Sequence, residues 1–188
     1  MELTFREKFG IQNNRLYLKR YDARQCCRGA SFYFLEKVLS GEIINVNTFN
    51  VREIELKHKR YIQDKTTHDL DNSTINLLDT ELLLQRYNGQ VSDFKWLNVN
   101  PGDAAGVFNE LQMILKTSRH ICGTIHLRDH AMAYACNHSN IFIFDPDYGL
   151  LKFAKNLTGF SDFFAMVNER RNIRNISIIA QSKAIRIL

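Results

Sequence analysis

From Ile121 onward the chain is divided into short apolar runs by turn sequences, and that division constrains the fold more than any other feature. Ile121–Leu127, His130–Cys136, Ile141–Asp145 and Leu150–Ala154 are rich in strand-forming residues. Asn137-His138-Ser139-Asn140 and Pro146-Asp147-Tyr148-Gly149 lie between them as turn tetrapeptides. Connections this short join only antiparallel neighbours, because a parallel crossover takes about a dozen residues or more. The pattern predicts an antiparallel meander, then a helix near 161–171 and one or two closing strands, Asn175–Gln181 and Ala184–Leu188.

The first half has the other periodicity. Ala30, Phe34, Leu35, Val38 and Leu39 fall on one face of a helix over Cys27–Ser40, which Gly41 stops as a left-handed cap. Thr48–Gln63 and Ser73–Asn88 read as two more helices, the second stopped by Gly89, and Val91–Asn98 reads as a short strand. Asp103 is placed to cap a helix reaching Lys116, with Val107, Leu111, Ile114 and Leu115 buried. Helices that lead and strands that follow give an α+β fold, an N-terminal helical part packed on an antiparallel sheet. A chain of 188 residues without repeats or a Pro/Gly-rich linker is expected to form a single domain, with 1–22 as an irregular or helical lead-in.

Charge and thiol content narrow the functional classes. The net charge of +5 is a mild basic bias that favours acidic partners and gives a weak attraction to an anionic membrane surface. It argues against nucleic acid as a partner, because the cations are interleaved with acids, as Glu53 and Glu55 are within Arg52–Arg60. Lys57–Arg60 and Arg170–Arg174 are the basic stretches able to steer an acidic partner. The cysteines are Cys26, Cys27, Cys122 and Cys136. Two adjacent thiols start a disulfide framework badly, so the four are expected to be free, in a reducing compartment. The N-terminus has no apolar signal region, and no run of about 18 apolar residues follows. The expectation is a protein that works in a cytoplasm, or leaves its cell by a route needing no cleaved signal.

Three residues form a candidate site for thiol chemistry: Cys27 at a helix start, His130 at the start of a strand, and Asp145 at the end of the next. A free thiol, with a pKa of about 8.5, is a weak nucleophile at neutral pH; a helix N-terminus and a neighbouring imidazole both favour its thiolate. Gly29 and Ala30 leave room for a substrate backbone, and the Cys27 N–H could face an oxyanion. If Cys136–Ser139 form a four-residue loop, His130 lies directly opposite Asp145; with a two-residue loop it faces Asp147, and Asp145 becomes the diagonal neighbour. Either aspartate stays on the correct face, and Asp145 is preferred because it ends the Ile-Phe-Ile-Phe strand. An aspartate there can accept the Nδ1–H of the imidazole, fix its tautomer and stabilise its cation. Each residue also has a plain structural explanation: a core thiol beside Phe32 and Phe34, a packed imidazole, an Asp-Pro turn.

The residues Cys27-Arg28-Gly29-Ala30-Ser31-Phe32-Tyr33-Phe34 resemble the nucleophile helix of papain-like enzymes, where a small residue, a Ser and an aromatic follow the Cys at these spacings. His130-Ala131-Met132-Ala133-Tyr134 and Ile141-Phe142-Ile143-Phe144-Asp145-Pro146-Asp147-Tyr148-Gly149 resemble the His and Asp segments of YopT-type cysteine proteases, bacterial effectors that act inside host cells. The resemblance implies a papain-like cysteine protease fold, no metal or other cofactor, and Cys27, His130 and Asp145 as nucleophile, base and orienting acid. It also implies secretion into a host cytoplasm and a host protein substrate, a small GTPase or other signalling protein, met by a monomer. Cys26 is the rival nucleophile, but its register breaks the Cys-x-small-x-Ser match. The family's His usually follows Gly where Asp129 stands here, and its turn Asn is replaced by Asp147. Its oxyanion amide before the Cys has no counterpart among Tyr21, Asp22 and Gln25 at the expected distance.

Other readings share these residues. Glutamine deamidases and acyl transferases use the same thiolate attack on a carbonyl. A zinc module is suggested by His120, Cys122, His126, His130, Cys136 and His138, although the segment reads as strand and turn rather than the helix that His-x-x-x-His needs. An inactive adaptor on the same fold is the third. Tyr17, Tyr61, Tyr87 and Trp96 are candidates for a cleft rim.

Overall fold

The computed structural model describes residues 23–188 apart from 101, 103, 118, 119, 156 and 157. The lead-in and the Asp103 cap lie outside the described residues. The helices are α1 (Ala23–Ser40), α2 (Val51–His68), α3 (Asn72–Arg86), α4 (Ala104–Thr117) and α5 (Thr158–Arg171). The strands are β1 (Ile43–Ile44), β2 (Val91–Asn98), β3 (Ile121–Leu127), β4 (Ala131–Cys136), β5 (Asn140–Asp145), β6 (Gly149–Ala154), β7 (Ile173–Gln181) and β8 (Arg186–Ile187). The fold is the expected α+β type.

Several boundaries move for local reasons. α1 begins at Ala23 rather than Cys27, because Ala23-Arg24-Gln25 are good helix formers ahead of the apolar face. Gly41 closes it at φ +76. α2 starts at Val51 rather than Thr48, since the Asn50 side chain accepts from the Arg52 and Glu53 N–H groups at 3.1 and 3.3 Å. It runs on to a left-handed Asp69. α3 ends at Arg86 with Tyr87 N–H bonded to Leu84 C=O, so Gly89, which has no positive φ, is not its stop.

The main sheet has six strands in the order β2-β7-β3-β4-β5-β6, all antiparallel. β3 to β6 form the expected meander. β7 returns after α5 and inserts between β3 and β2, and β8 pairs in parallel with β1 away from the main sheet. Insertion makes β3 an interior strand buried along its whole length. Gly123 is obligatory there: a Cβ on it would lie 1.8 Å from the Ser177 carbonyl oxygen of β7.

Helices cover both faces. Met132, Tyr134 and Cys136 of β4 join Leu111 and Leu115 of α4 and Phe163 and Phe164 of α5. Ala133 and Ala135 face the other way, where they join Ala30, Phe34 and Leu35 of α1. Small residues on that face let α1 lie close to β4, and this contact brings Cys27 to the strand that follows His130. Among the described residues no helix is long and apolar enough to cross a membrane.

Candidate active site

Cys27, His130 and Asp145 come together where the early part of α1 meets one end of the sheet. All three are buried, at 6%, 6% and 5% exposure. His130 immediately precedes β4, at the end of a tight turn closed by the Leu127 N–H on the His130 carbonyl at 2.8 Å. Its Nε2–H donates to Asp145 Oδ1 at 2.9 Å. The same oxygen accepts the Asp147 N–H at 2.9 Å, which fixes the carboxylate on the ring. The Cys27 thiol is near enough to the same ring to raise its pKa.

Of the two loop lengths that the sequence left open the shorter is found, and one detail, the bonding nitrogen, differs from expectation. The β4–β5 register is that of a two-residue turn, with Cys136 opposite Ile141, because Asn137 Oδ1 accepts from both the Ser139 and Asn140 N–H groups. Asp145 is therefore the diagonal partner of His130, and it bonds Nε2 rather than Nδ1. Asp147 Oδ2 stands 3.8 Å from Nδ1, and 4.0 Å from Arg171 Nη1. With Nε2 held by Asp145, Nδ1 is the nitrogen left for the thiol.

The electrostatics follow from these contacts. Burial alone would lower the His130 pKa; the hydrogen bonds with Asp145 and Cys27, and the charges of both, outweigh it and lift the group to about 10. The imidazolium is thus the favoured form at neutral pH, which is the partner a thiolate needs. Cys26 packs in the core between α1 and the sheet. Burial pushes the Cys122 and Cys136 thiols up.

Cys27 lies in the second turn of α1, so its N–H is directed along the helix toward the carbonyl four residues earlier and not toward an oxyanion. Tyr21 and Asp22 lie outside the described residues, and Gln25 lies on the first turn of α1.

Positioning residues surround the three. Ser31 Oγ lies 2.8 Å from the Cys27 carbonyl and 3.0 Å from the Ala131 carbonyl, tying the cysteine's turn of α1 to the residue after His130. Arg28 is buried beneath Tyr61, its guanidinium 3.5 Å from the ring centre, and bonds Asn76 and Asp79 of α3. Asn76 and Asp79 stand one helical turn apart on the expected third helix, the spacing of a shared face; that was the sequence signal for this anchor. Of the other rim candidates, Trp96 faces His126, Tyr87 packs against the core, and Tyr17 lies outside the described residues.

The histidines and cysteines of 120–138 do not assemble with one another into a ligand set. His126 bonds Thr124 at 2.9 Å, and its burial and then the charge of Arg28 push it down to about 3. His120 stacks edge-on against His138. Among the described residues the group able to offer three donors to a metal is His130, Asp145 and Asp147, within 4.8 Å of one another.

The architecture, helices on both faces of an antiparallel sheet with the candidate cysteine on one helix and the histidine and aspartate on strand ends, is a papain-like fold. It is similar to the crystal structure of Pseudomonas avirulence protein AvrPphB, with a TM-score of 0.59 and 13% identity, covering 93% of this chain and 97% of that one. No family model and no curated protein matches the sequence.

Proposed function

We propose that this chain is a cysteine protease effector that cleaves a host protein, with Cys27 as nucleophile, His130 as general base and acid, and Asp145 as the group that orients the imidazole. The observation that carries the proposal is the shared imidazole: Asp145 holds Nε2–H at 2.9 Å, and the buried Cys27 thiol acts on the same ring. The likeness in fold to an avirulence protein supports the effector setting.

In this scheme the Cys27 thiolate attacks the scissile carbonyl carbon and a C–S bond forms. His130 Nδ1–H protonates the leaving amine as the C–N bond breaks, which leaves an acyl-enzyme. Neutral His130 then takes a proton from water, whose hydroxide attacks the thioester and frees Cys27 as thiolate. Asp145 keeps Nε2–H in place throughout, so Nδ1 always faces the reacting atoms. The resemblance to YopT-type proteases makes membrane-attached small GTPases the first substrates to test, reached after secretion into the host cytoplasm.

The test has two parts. Cys27 should be labelled selectively by an iodoacetamide or epoxide probe, and His130→Ala should slow that labelling. Mass spectrometry of a host lysate treated with the protein should then show new peptide termini that Cys27→Ala does not produce. Equal, slow labelling in both proteins would sink the activated thiol; an amide-to-acid mass shift without new termini would make the enzyme a deamidase.

A further inference from the structure

The end of the sheet that carries His130 also opens onto a cavity of about 500 Å³ that the chemistry above leaves unused. Its floor is polar and buried, with Asn76 of α3, His126 of β3 and Asn175 of β7. Its rim carries Asp71, Arg128 and Arg174.

The cavity is joined to the candidate active site at two points. Asn76 Oδ1 accepts from Arg28 Nε at 2.5 Å, and Arg28 follows Cys27 in the chain. Leu127 and Arg128 of the wall belong to the turn that the Leu127–His130 backbone bond closes. A group seated here lies against Asn76, which Arg28 bonds, and against the turn that holds the imidazole.

The charges of the rim indicate what would sit there. Asp71 is engaged at the start of α3, where its carboxylate accepts the Ser73 and Thr74 N–H groups and the Thr74 hydroxyl. Arg128 and Arg174 are exposed, and neither forms an ion pair among the described residues. On the floor, Asn76 has its oxygen taken by Arg28, so its amide N–H groups remain to donate. Two unpaired guanidinium forks over an amide donor are the chemistry that recognises carboxylate or phosphate oxygens. The basic stretch ending at Arg174, read from the sequence as a means of steering acidic partners, thus has one arginine at a defined cavity.

We propose that this cavity is a substrate subsite that seats an anionic side chain, a carboxylate or a phosphate ester, between Arg128 and Arg174. The inference rests on the reading of Cys27 as a peptide-cleaving nucleophile. It makes the enzyme selective for an acidic or phosphorylated residue at one fixed position relative to the cut.

The experiment is cleavage profiling with a synthetic peptide library in which each position is varied, with Asp, Glu and phosphoserine included, for the wild-type chain and for Arg128→Glu and Arg174→Glu. Cleavage of acidic over neutral peptides should be favoured about tenfold or more at one position. Both charge reversals should erase or invert that ratio. The ratio within each protein cancels any loss of folded enzyme, and the Asp and phosphoserine arms separate the two sources of negative charge. Efficient cleavage with no acidic preference, or a preference that survives both reversals, overturns the subsite and leaves the protease reading standing. Failure to cut any library peptide overturns both.

Discussion

His130 presents Nε2–H to Asp145 Oδ1 at 2.9 Å, and this bond gives the ring both its orientation and its charge. His130 is raised from the ordinary 6.5 to about 10. Its contribution to stability is therefore complete below the unfolded value and is lost as pH rises through the folded one. Activity that depends on the imidazolium should follow the same window. A pH profile of kcat/KM is expected to hold its alkaline limb near pH 10 in the wild type. Asp145→Asn should move that limb down toward neutrality and lower the plateau by roughly a hundredfold or more, the range of a lost acid–base catalyst. Asp147→Asn, at the longer 3.8 Å contact, should shift it less. An unchanged limb in Asp145→Asn would show that the carboxylate does not set the charge of the ring.

The adjacent thiols make a sharp internal control. Cys27 acts on the His130 ring, whereas Cys26 is packed among core side chains. Cys27→Ser should abolish probe labelling at this site and all cleavage. Cys26→Ser should retain labelling of Cys27 and lose about 1–3 kcal/mol of stability by placing a hydroxyl in the core. Urea unfolding and intact-mass labelling of the two variants separate these outcomes; loss of labelling in a folded Cys26→Ser would reverse the assignment.

Legibility in the sequence follows the range of the interaction. The meander from β3 to β6 was readable because each strand is bounded by its own turn residues, and the closeness of His130 to Asp145 follows from strand parity within one hairpin. The hairpin register was not, because it depends on the Asn137 side chain bonding two N–H groups and not on the apolar pattern. The bonding nitrogen of His130 is a matter of ring orientation, which no spacing encodes. β7 inserts between β2 and β3 through packing of Gly123 against Ser177, two residues far apart in the chain. The Arg28 anchor on Asn76 spans 48 positions, and only the one-turn spacing of Asn76 and Asp79 hinted at it.

Ser31 is expected to position the nucleophile. Its hydroxyl bridges the carbonyls of Cys27 and Ala131 at full burial. Ser31→Ala removes the donor and leaves the Ala131 side of the bridge unmet, at a cost of about 1–2 kcal/mol. A merely structural role would lower Tm and leave the folded enzyme unaltered. A positioning role also slows Cys27 labelling in protein shown by circular dichroism to be fully folded, and lowers kcat more than it changes KM.

The Arg28–Asp79 pair should be far more sensitive to loss of one partner than of both. Arg28 is 7% exposed, and its guanidinium bonds Asp79 at 2.5 Å and Asn76 beside it. Asp79→Ala strands a buried cation and should destabilise the fold by about 3 kcal/mol or more, whereas Arg28→Met combined with Asp79→Leu should recover much of it. Chemical denaturation of the single and double variants measures the difference. A double variant no more stable than Asp79→Ala would mean that the pair stabilises the packing of α1 on α3 by its own attraction.

Gly123 offers the most direct test of the sheet order. The position is interior to β3, and an added Cβ would approach the Ser177 carbonyl oxygen to 1.8 Å and the Tyr134 ring to 2.9 Å. Neither neighbour is free to retreat: Ser177 Oγ accepts the Thr124 N–H at 2.7 Å, and the Tyr134 hydroxyl donates to the Ser177 carbonyl at 2.9 Å. Gly123→Ala must therefore part β3 from β7, and since β3 continues into the turn that bears His130, the imidazole moves with it. The expected result is a loss of several kcal/mol, beyond about 4, the range reserved for backbone clashes and broken buried networks. Gly89→Ala, where a Cβ meets nothing within 4 Å, should be near neutral by the same thermal melt. Comparable stability of the two variants would contradict the placement of β7 beside β3, and with it the geometry that brings His130 to Cys27.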